Sequence, residues 1–306
     1  MIARALLLLL TIFAAVPAAA QDKGTVDPKP LPPLAHPDDP KNPAKELFAR
    51  RVKPADLAAR SIGFYTHGCL AGGVALPING KTWQVMRLSR NRNWGHPELI
   101  AFLERLANKA PKIANWPGIL VGDMSQPRGG PMLTGHASHQ VGLDADIWLT
   151  PMPKNQLSRE EREEMSATMM VAESRTDVDP KVWTHGHFAV IKAAAEDPKV
   201  ERIFVNAAIK KALCREAGND RAFLHKVRPW WGHDYHFHVR MACQSDSPEC
   251  KAQDPAGEAE GCGKDLDWWF RDSVIHPEPP KEPPKPRAPL TMADLPAACR
   301  QVLVAP

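Results

Sequence analysis

Histidine is concentrated in two short windows of this chain: His136 and His139 in GHASHQVGLDADIW, and His233, His236 and His238 in GHDYHFHVR, five of the twelve in the sequence. Neutral imidazole and carboxylate are ligands that Zn²⁺ accepts, and a catalytic zinc takes three protein ligands and keeps one position open. His139, Asp146 and His238 make such a set. A zinc ion there lowers the pKa of a bound water toward about 7 and polarises a carbonyl. His236 is the candidate base, placed to take the water proton and pass it to a leaving amine. His233 either stabilises an oxyanion or orients His236. His136 reads as a donor beside the ligands, as a ligand to another metal, or as a loop residue, and Asp144 as a hydrogen-bonding neighbour rather than a ligand. There is no HExxH helix and no G-x-S-x-G elbow, so neither the helix-borne zinc plan nor that serine plan is encoded.

These residues need rigid elements to hold them. Tyr235 to Met241 alternates aromatic or apolar with polar residues, and alternate side chains of a strand share a face. His236 and His238 therefore point one way, and Tyr235, Phe237 and Val239 face the core. A slip of one residue would bury the histidines and expose the aromatics, which pins the register. The same rule puts Asp144, Asp146 and Trp148 on one face of a strand over Leu143–Leu149, opposite Leu143, Ala145 and Ile147. Ile119–Met124 and Ile203–Val205 read as further strands from their β-branched and apolar content. Apolar spacing behind Pro97 predicts a helix over 97–110. Residues 182–196 and 206–217 read as two more, the second capped by Asn206. The acidic run Arg159 to Glu164 reads as a solvated helix face. His185 and His187, in or beside a helix, read as structural. Trp230 and Trp231 fit a substrate wall and core packing equally. The fold class is α+β.

Residues 1–20, with Arg4 before an apolar run and Ala18-Ala19-Ala20 at the end, have the form of a cleavable secretory signal. No later stretch approaches the roughly 18 apolar residues of a transmembrane span. An exported chain with six cysteines is expected to pair them into three bridges. Cys243 with Cys250 and Cys69 with Cys299 are attractive pairs, but spacing alone leaves the connectivity open. Proline-rich flanks at 21–45 and 276–306 read as extended segments around one globular body over 46–275. A net charge of +4 does not call for a nucleic-acid partner and is compatible with an anionic wall polymer. Oligomeric state is not encoded in any pattern found.

The segments SIGFYTHGCLAGG, WGHPELIAFLERL, VGDMSQPRGG, GHASHQVGLDADIWL, RIFVNAAIKKALC, KVRPWW, HFHVRMACQSDSPEC and GCGKDLDWWF resemble the penicillin-insensitive murein endopeptidases. That family belongs to the wider group of lysostaphin-type, D-Ala-D-Ala carboxypeptidase and hedgehog-like zinc proteins. The resemblance implies an antiparallel sheet with flanking helices carrying a zinc site. It also implies a periplasmic enzyme that cuts the D-alanyl to meso-diaminopimelyl cross-link between peptidoglycan stem peptides. It assigns His139, Asp146 and His238 as zinc ligands, His236 as base, and His136 and His233 as additional site histidines. It pairs Cys69 with Cys299, Cys214 with Cys262 and Cys243 with Cys250. Some relatives carry a further aspartate and histidine ligand in the loop before the helix that contains Trp183. Here that loop reads ESRTDVDPKVW, without histidine, so one catalytic ion is expected and a second is left open, with Asp177 or Asp179 as the available substitutes. Carboxypeptidases of the wider group place a glutamate base three residues before the last ligand histidine. Tyr235 holds that position here, which favours the endopeptidase.

Overall fold

The computed structural model describes residues 23–280, 282 and 288–306; the signal read at 1–20 and part of the second proline run lie outside the described residues. In chain order the elements are α1 (Ala44–Phe48), β1 (Arg60–Phe64), β2 (His67–Ala71), β3 (Val74–Ala75), β4 (Trp83–Val85), β5 (Trp94–Gly95), α2 (Pro97–Ile113), β6 (Ile119–Val121), β7 (Asp144–Trp148), α3 (Arg159–Glu164), α4 (His185–Ala195), β8 (Val200–Val205), α5 (Ala207–Glu216), β9 (Val227–Pro229), β10 (His236–Met241), α6 (Asp272–Ile275) and α7 (Ala298–Val304). Six strands make the main sheet, in the order β4-β6-β7-β10-β8-β9. Its centre is antiparallel, but β4 joins β6 and β9 joins β8 in parallel. The sheet is therefore mixed, not antiparallel throughout. In each parallel pair the connection contains a helix, α2 or α5, which returns the chain to start the next strand in the same direction.

The period-two pattern sets the two faces of the sheet. Ala145 and Ile147 on β7, with Phe237, Val239 and Met241 on β10, are fully buried in one core with Leu99, Leu103 and Leu106 of α2, Ile191 and Ala194 of α4, and Ile209 and Leu213 of α5. Each large side chain of this set contributes about 1.5–3 kcal/mol by leaving water. The helices form where expected. His96 caps α2 by accepting from the Glu98 N–H at 3.3 Å, and Asn206 caps α5 by accepting from the Ala208 N–H at 2.8 Å. Tyr235 departs from the expectation. The strand starts one residue after it, and its ring packs, half-buried, with Trp148, Met86 and Leu120 in a separate cluster.

The acidic run also departs. Ser158 and Glu161 form a capping box that starts α3, but Arg162 and Glu163 are buried rather than solvated. Arg162 donates to the carbonyls of Leu157, Ile78 and Val85 and to Gln84 Oε1, while Glu163 accepts from the Ser89 N–H and hydroxyl. Charge alone does not expose a residue whose hydrogen-bonding capacity is filled by distant backbone.

All six cysteines are bridged: Cys69–Cys299, Cys214–Cys262 and Cys243–Cys250. The C-terminal segment is not only tethered by Cys299. Met292, Leu295, Val302 and Leu303 form a second core with Phe48 and Ile62. Arg128 donates to the carbonyls of Val302, Leu303 and Ala305, which α7 leaves without helical partners, and to that of Lys53. Among the described residues no helix is long and apolar enough to cross a membrane. Cys69 and Cys299 are 230 residues apart and Cys243 and Cys250 only 7. Replacing the first pair by serine should lower the unfolding free energy by about 4–5 kcal/mol, and replacing the second by clearly less, because the longer closed loop restricts the unfolded chain more. Urea titrations of the two double variants check this, and equal losses would contradict the loop account.

Candidate metal centre

On the face of the sheet opposite the main core, register brings the polar side chains together. His238 stands directly across from Asp146, Arg240 from Asp144 and His236 from Trp148. His139 and His136 enter from the loop before β7, and His233 from the loop before β10. His139 and His233 both adopt left-handed backbone, with φ of 66° and 57°. For residues with a Cβ this costs about 1–3 kcal/mol and persists only where the surroundings enforce it.

Asp146 is the hub. Its carboxylate lies 3.5 Å from His139 Nε2, 3.5 Å from His136 Nε2, 3.1 Å from His238 Nδ1 and 3.7 Å from His236 Nε2. Donor atoms of His136, His139 and Asp146 all lie within 4.8 Å of one another. Two further carboxylates brace the ring. Asp144 Oδ1 is 3.0 Å from His238 Nε2 and accepts from Arg240 Nε at 2.8 Å, and Asp144 Oδ2 accepts from the His139 N–H at 3.1 Å. Asp123 Oδ2 is 3.0 Å from His136 Nε2 and accepts from Arg90 and Arg92 at 2.8 and 2.9 Å. Arg240 itself is clamped between the rings of Tyr65 and Phe204.

His233 Nδ1 lies 2.8 Å from the Trp231 carbonyl, and its ring lies 4.8 Å from that of His236, tilted by 42°. Its loop is tied down by Asp234, which accepts from Arg175 at 2.8 and 3.1 Å and from Asn206 Nδ2 at 2.6 Å. Thus all six sequence-predicted residues meet in one place. Asp144 is the hydrogen-bonding neighbour expected of it. His187 is buried and its Nε2 is 3.0 Å from the Leu149 carbonyl, holding the end of β7, whereas His185 is exposed and stacks on Phe188. Asp177 pairs with Arg215, and Asp179 accepts from the Lys181 N–H, so neither joins the cluster. Asp123 and Arg240 are site residues that sequence reasoning missed. A carboxylate closing the buried run after Ile119–Val121 was the available signal for Asp123, and the position of Arg240 on the histidine face of β10 was the signal for Arg240.

Electrostatics divide the histidines. Burial pushes His139 down to about 4 and His233 down to about 3, and it also lowers His236, so these rings are neutral with a lone pair to offer. His238 is the opposite case: burial opposes its protonation, but Asp144 and Asp146 prevail and push it up to about 9. Burial likewise opposes ionisation of Asp146, yet the surrounding histidines hold it well below the usual carboxylate range. A buried, ionised carboxylate ringed by imidazole lone pairs offers a cation both charge and ligands. Both ring nitrogens of His139, Asp146 Oδ1 and His236 Nδ1 are buried without an aligned hydrogen-bond partner. Unpaired buried polar atoms cost about 1–3 kcal/mol each unless something binds them, and imidazole with carboxylate is the donor chemistry of a transition-metal site. The residues fit a metal.

The cluster sits between two hollows. One, of about 560 Å³, is lined by Arg87, Trp148, Tyr235 and His236; the other, of about 770 Å³, by Phe204, Trp230, His233 and His238. His136 lines both, so the metal centre is open to an extended ligand on either side. Trp230 and Trp231 are 54% and 53% exposed, which rules out core packing and leaves them as cleft wall.

The family described as penicillin-insensitive murein endopeptidase matches residues 61–304. The penicillin-insensitive murein endopeptidase of Haemophilus influenzae is 46% identical over 257 residues, covering 84% of this chain and 87% of that protein. Those of Yersinia enterocolitica and Pectobacterium atrosepticum are 43% and 41% identical, over 82% and 85% of this chain and 87% and 89% of theirs.

The Asp144–Arg240 pair yields a test of the support beneath the site. Burial would raise the Asp144 carboxyl, but Arg240 and then His238 hold it below the usual carboxylate range. Its folded value is thus below its unfolded value of about 3.9. The stability it contributes is present above that value and is lost as pH falls toward the folded value. Asp144→Asn should flatten the decline of unfolding free energy below about pH 4, measured by urea titration across pH. Arg240→Met should cost about 3–5 kcal/mol by removing the guanidinium that offsets this buried charge, and adding Asp144→Asn should recover part of it.

Proposed function

This chain belongs to the penicillin-insensitive murein endopeptidase family, and from that premise we propose that it is a periplasmic zinc enzyme. Its proposed reaction is hydrolysis of D-alanyl to meso-diaminopimelyl cross-links between peptidoglycan stem peptides. The observation that carries this reading is the buried set of unpartnered lone pairs on His139 and Asp146, placed where a cleft passes on both sides. A cross-link has peptide on both sides of the bond to be cut, and a site with room in both directions suits it better than one that receives a chain end.

His139, Asp146 and His238 hold the ion in this reading. Asp144 engages His238 Nε2 at 3.0 Å, which leaves Nδ1 for coordination, as metal-binding histidines are commonly fixed by a carboxylate on the other nitrogen. His136, whose Nε2 is shared between Asp123 and Asp146, stands at the edge of the set as a further ligand. When bound, zinc supplies Lewis-acid polarisation of the peptide carbonyl and eases deprotonation of water near neutral pH. His236 is kept neutral by burial and lies on the same face, so it accepts the proton of the attacking water and returns it to the departing amine. His233 orients His236. With Nδ1–H donated to the Trp231 carbonyl, its neutral ring has only an acceptor left, which suits it for positioning rather than for stabilising an anion. Penicillin insensitivity follows, since a β-lactam acts by acylating a side-chain nucleophile and none takes part here.

Purified protein should convert cross-linked muropeptide dimers to monomers, with a chelator stopping the reaction and penicillin leaving it unchanged; release of free D-alanine from intact dimers would point to a carboxypeptidase instead. Asp146→Ala and His238→Ala should each lose the metal, measured as bound zinc per protein. His236→Ala should keep the metal and lose about 10²–10⁴-fold in turnover, and unchanged turnover would remove it as the base.

A further inference from the structure

Beyond the histidines the cleft becomes aromatic. Trp231 stands 5.8 Å from Trp268 and 4.9 Å from Trp269, and Trp268 stands 5.0 Å from Trp269, centroid to centroid. With Trp230 this gathers four of the nine tryptophans of the chain into one patch, and Trp230, Trp231 and Trp268 are 54%, 53% and 45% exposed. Of the five other indoles, three spend their N–H groups internally: Trp83 donates to the Pro77 carbonyl, Trp94 to Asn91 and Trp183 to Glu216. Among the described residues no protein acceptor takes the N–H of Trp230, Trp231, Trp268 or Trp269. A contiguous exposed aromatic surface of this kind marks a binding site more often than chance.

The patch is built to stay in place. A 3-10 helix, Gly263–Phe270, carries Trp268 and Trp269. It is stapled to α5 by Cys214–Cys262, anchored by buried Leu266, and capped by Lys211 over the Phe270 ring. Trp230 is held by its backbone N–H, which donates to the Val205 carbonyl at 2.8 Å. The patch is also continuous with the metal centre. The hollow of about 770 Å³ is lined both by His136, His233 and His238 and by Trp230, Trp231 and Trp269. The same three indoles, with Ile275 and Pro277, wall a further pocket of about 200 Å³.

We propose that this indole platform binds the glycan strand of peptidoglycan, a chain of N-acetylated amino sugars, while the stem peptide hanging from it reaches the histidines. The proposal rests on the endopeptidase reading above. Pyranose rings present flat C–H faces that stack on indole, and their hydroxyl and acetamide oxygens accept the unspent N–H groups. Arg202, Arg228 and Gln253 beside the indoles add planar donors suited to the same oxygens. A lipid surface is the poorer match, because Trp230, Trp231 and Trp269 line a concave hollow that also holds Arg202, Arg228 and Asp265.

The test compares two substrates that differ only in sugar: a cross-linked dimer bearing its disaccharides and the same dimer with them removed. Trp268→Ala, which alters the platform away from the ion-binding residues, should raise KM on the sugar-bearing dimer about tenfold. It should leave kcat on that dimer, and both constants on the sugar-free dimer, unchanged, and Trp268→Tyr should restore part of the loss. A β-1,4-linked tetramer of N-acetylglucosamine should shift the tryptophan fluorescence of the wild-type protein saturably, and the alanine variant should bind it more weakly. Equal effects on the two dimers, or none on either, would overturn the platform. Loss of binding to anionic phospholipid vesicles in the variant, with tetramer binding intact, would overturn it in favour of a membrane surface. Wild-type protein that opens neither dimer would instead overturn the endopeptidase reading, while the tetramer titration would still decide the platform.

Discussion

The pairing of β7 with β10 is the constraint on which the rest depends. One register sets His238 against Asp146, Arg240 against Asp144, and the apolar residues between them into the core. Hydrophobic burial on one face thereby enforces the polar arrangement on the other, since any slip would exchange the two faces. The histidine cluster does not hold itself together. It is a concentration of lone pairs and carboxylates that would repel or demand water, and it is held by a core of helices packed against the back of the same two strands.

Around that pairing the structure supplies orientation in layers. Asp144 engages a ring nitrogen of His238, the backbone of His139 and the guanidinium of Arg240, and Arg240 is gripped by two aromatic rings. Asp123 plays the matching part for His136, drawing charge from Arg90 and Arg92. The left-handed backbone at His139 and His233 shows that loop conformation has been spent on aiming these two imidazoles. Local strain is tolerated because the surrounding hydrogen bonds and the rigid sheet outweigh it.

What could be read from the sequence was what obeys short-range periodicity. HFHVRM and DADIW alternate cleanly, so the faces of β7 and β10 and the convergence of their polar residues were legible. Helices α2, α4 and α5 were too, from apolar spacing and caps. Short β4 and β9 were not, and with them went the parallel edges of the sheet, because three-residue strands carry too little pattern. Tyr235 was misplaced by one extra step of alternation beyond the true start of β10. Apart from the Leu157 carbonyl, the partners of Arg162 and Glu163 lie 74 or more residues away in the chain, and no local rule could show that these charges are buried. Asp123 escaped for the same reason: its role comes from a loop closing over it.

The grip of Arg128 on the last turn of α7 reaches further than stability. The loop that carries this guanidinium runs on to Gly130, whose N–H bonds the Gln140 carbonyl, next to His139. Helix α7 is thus mechanically in series with the wall behind the imidazole. A load or label placed on α7 would tug on that wall, so attachment chemistry for this enzyme belongs elsewhere on its surface.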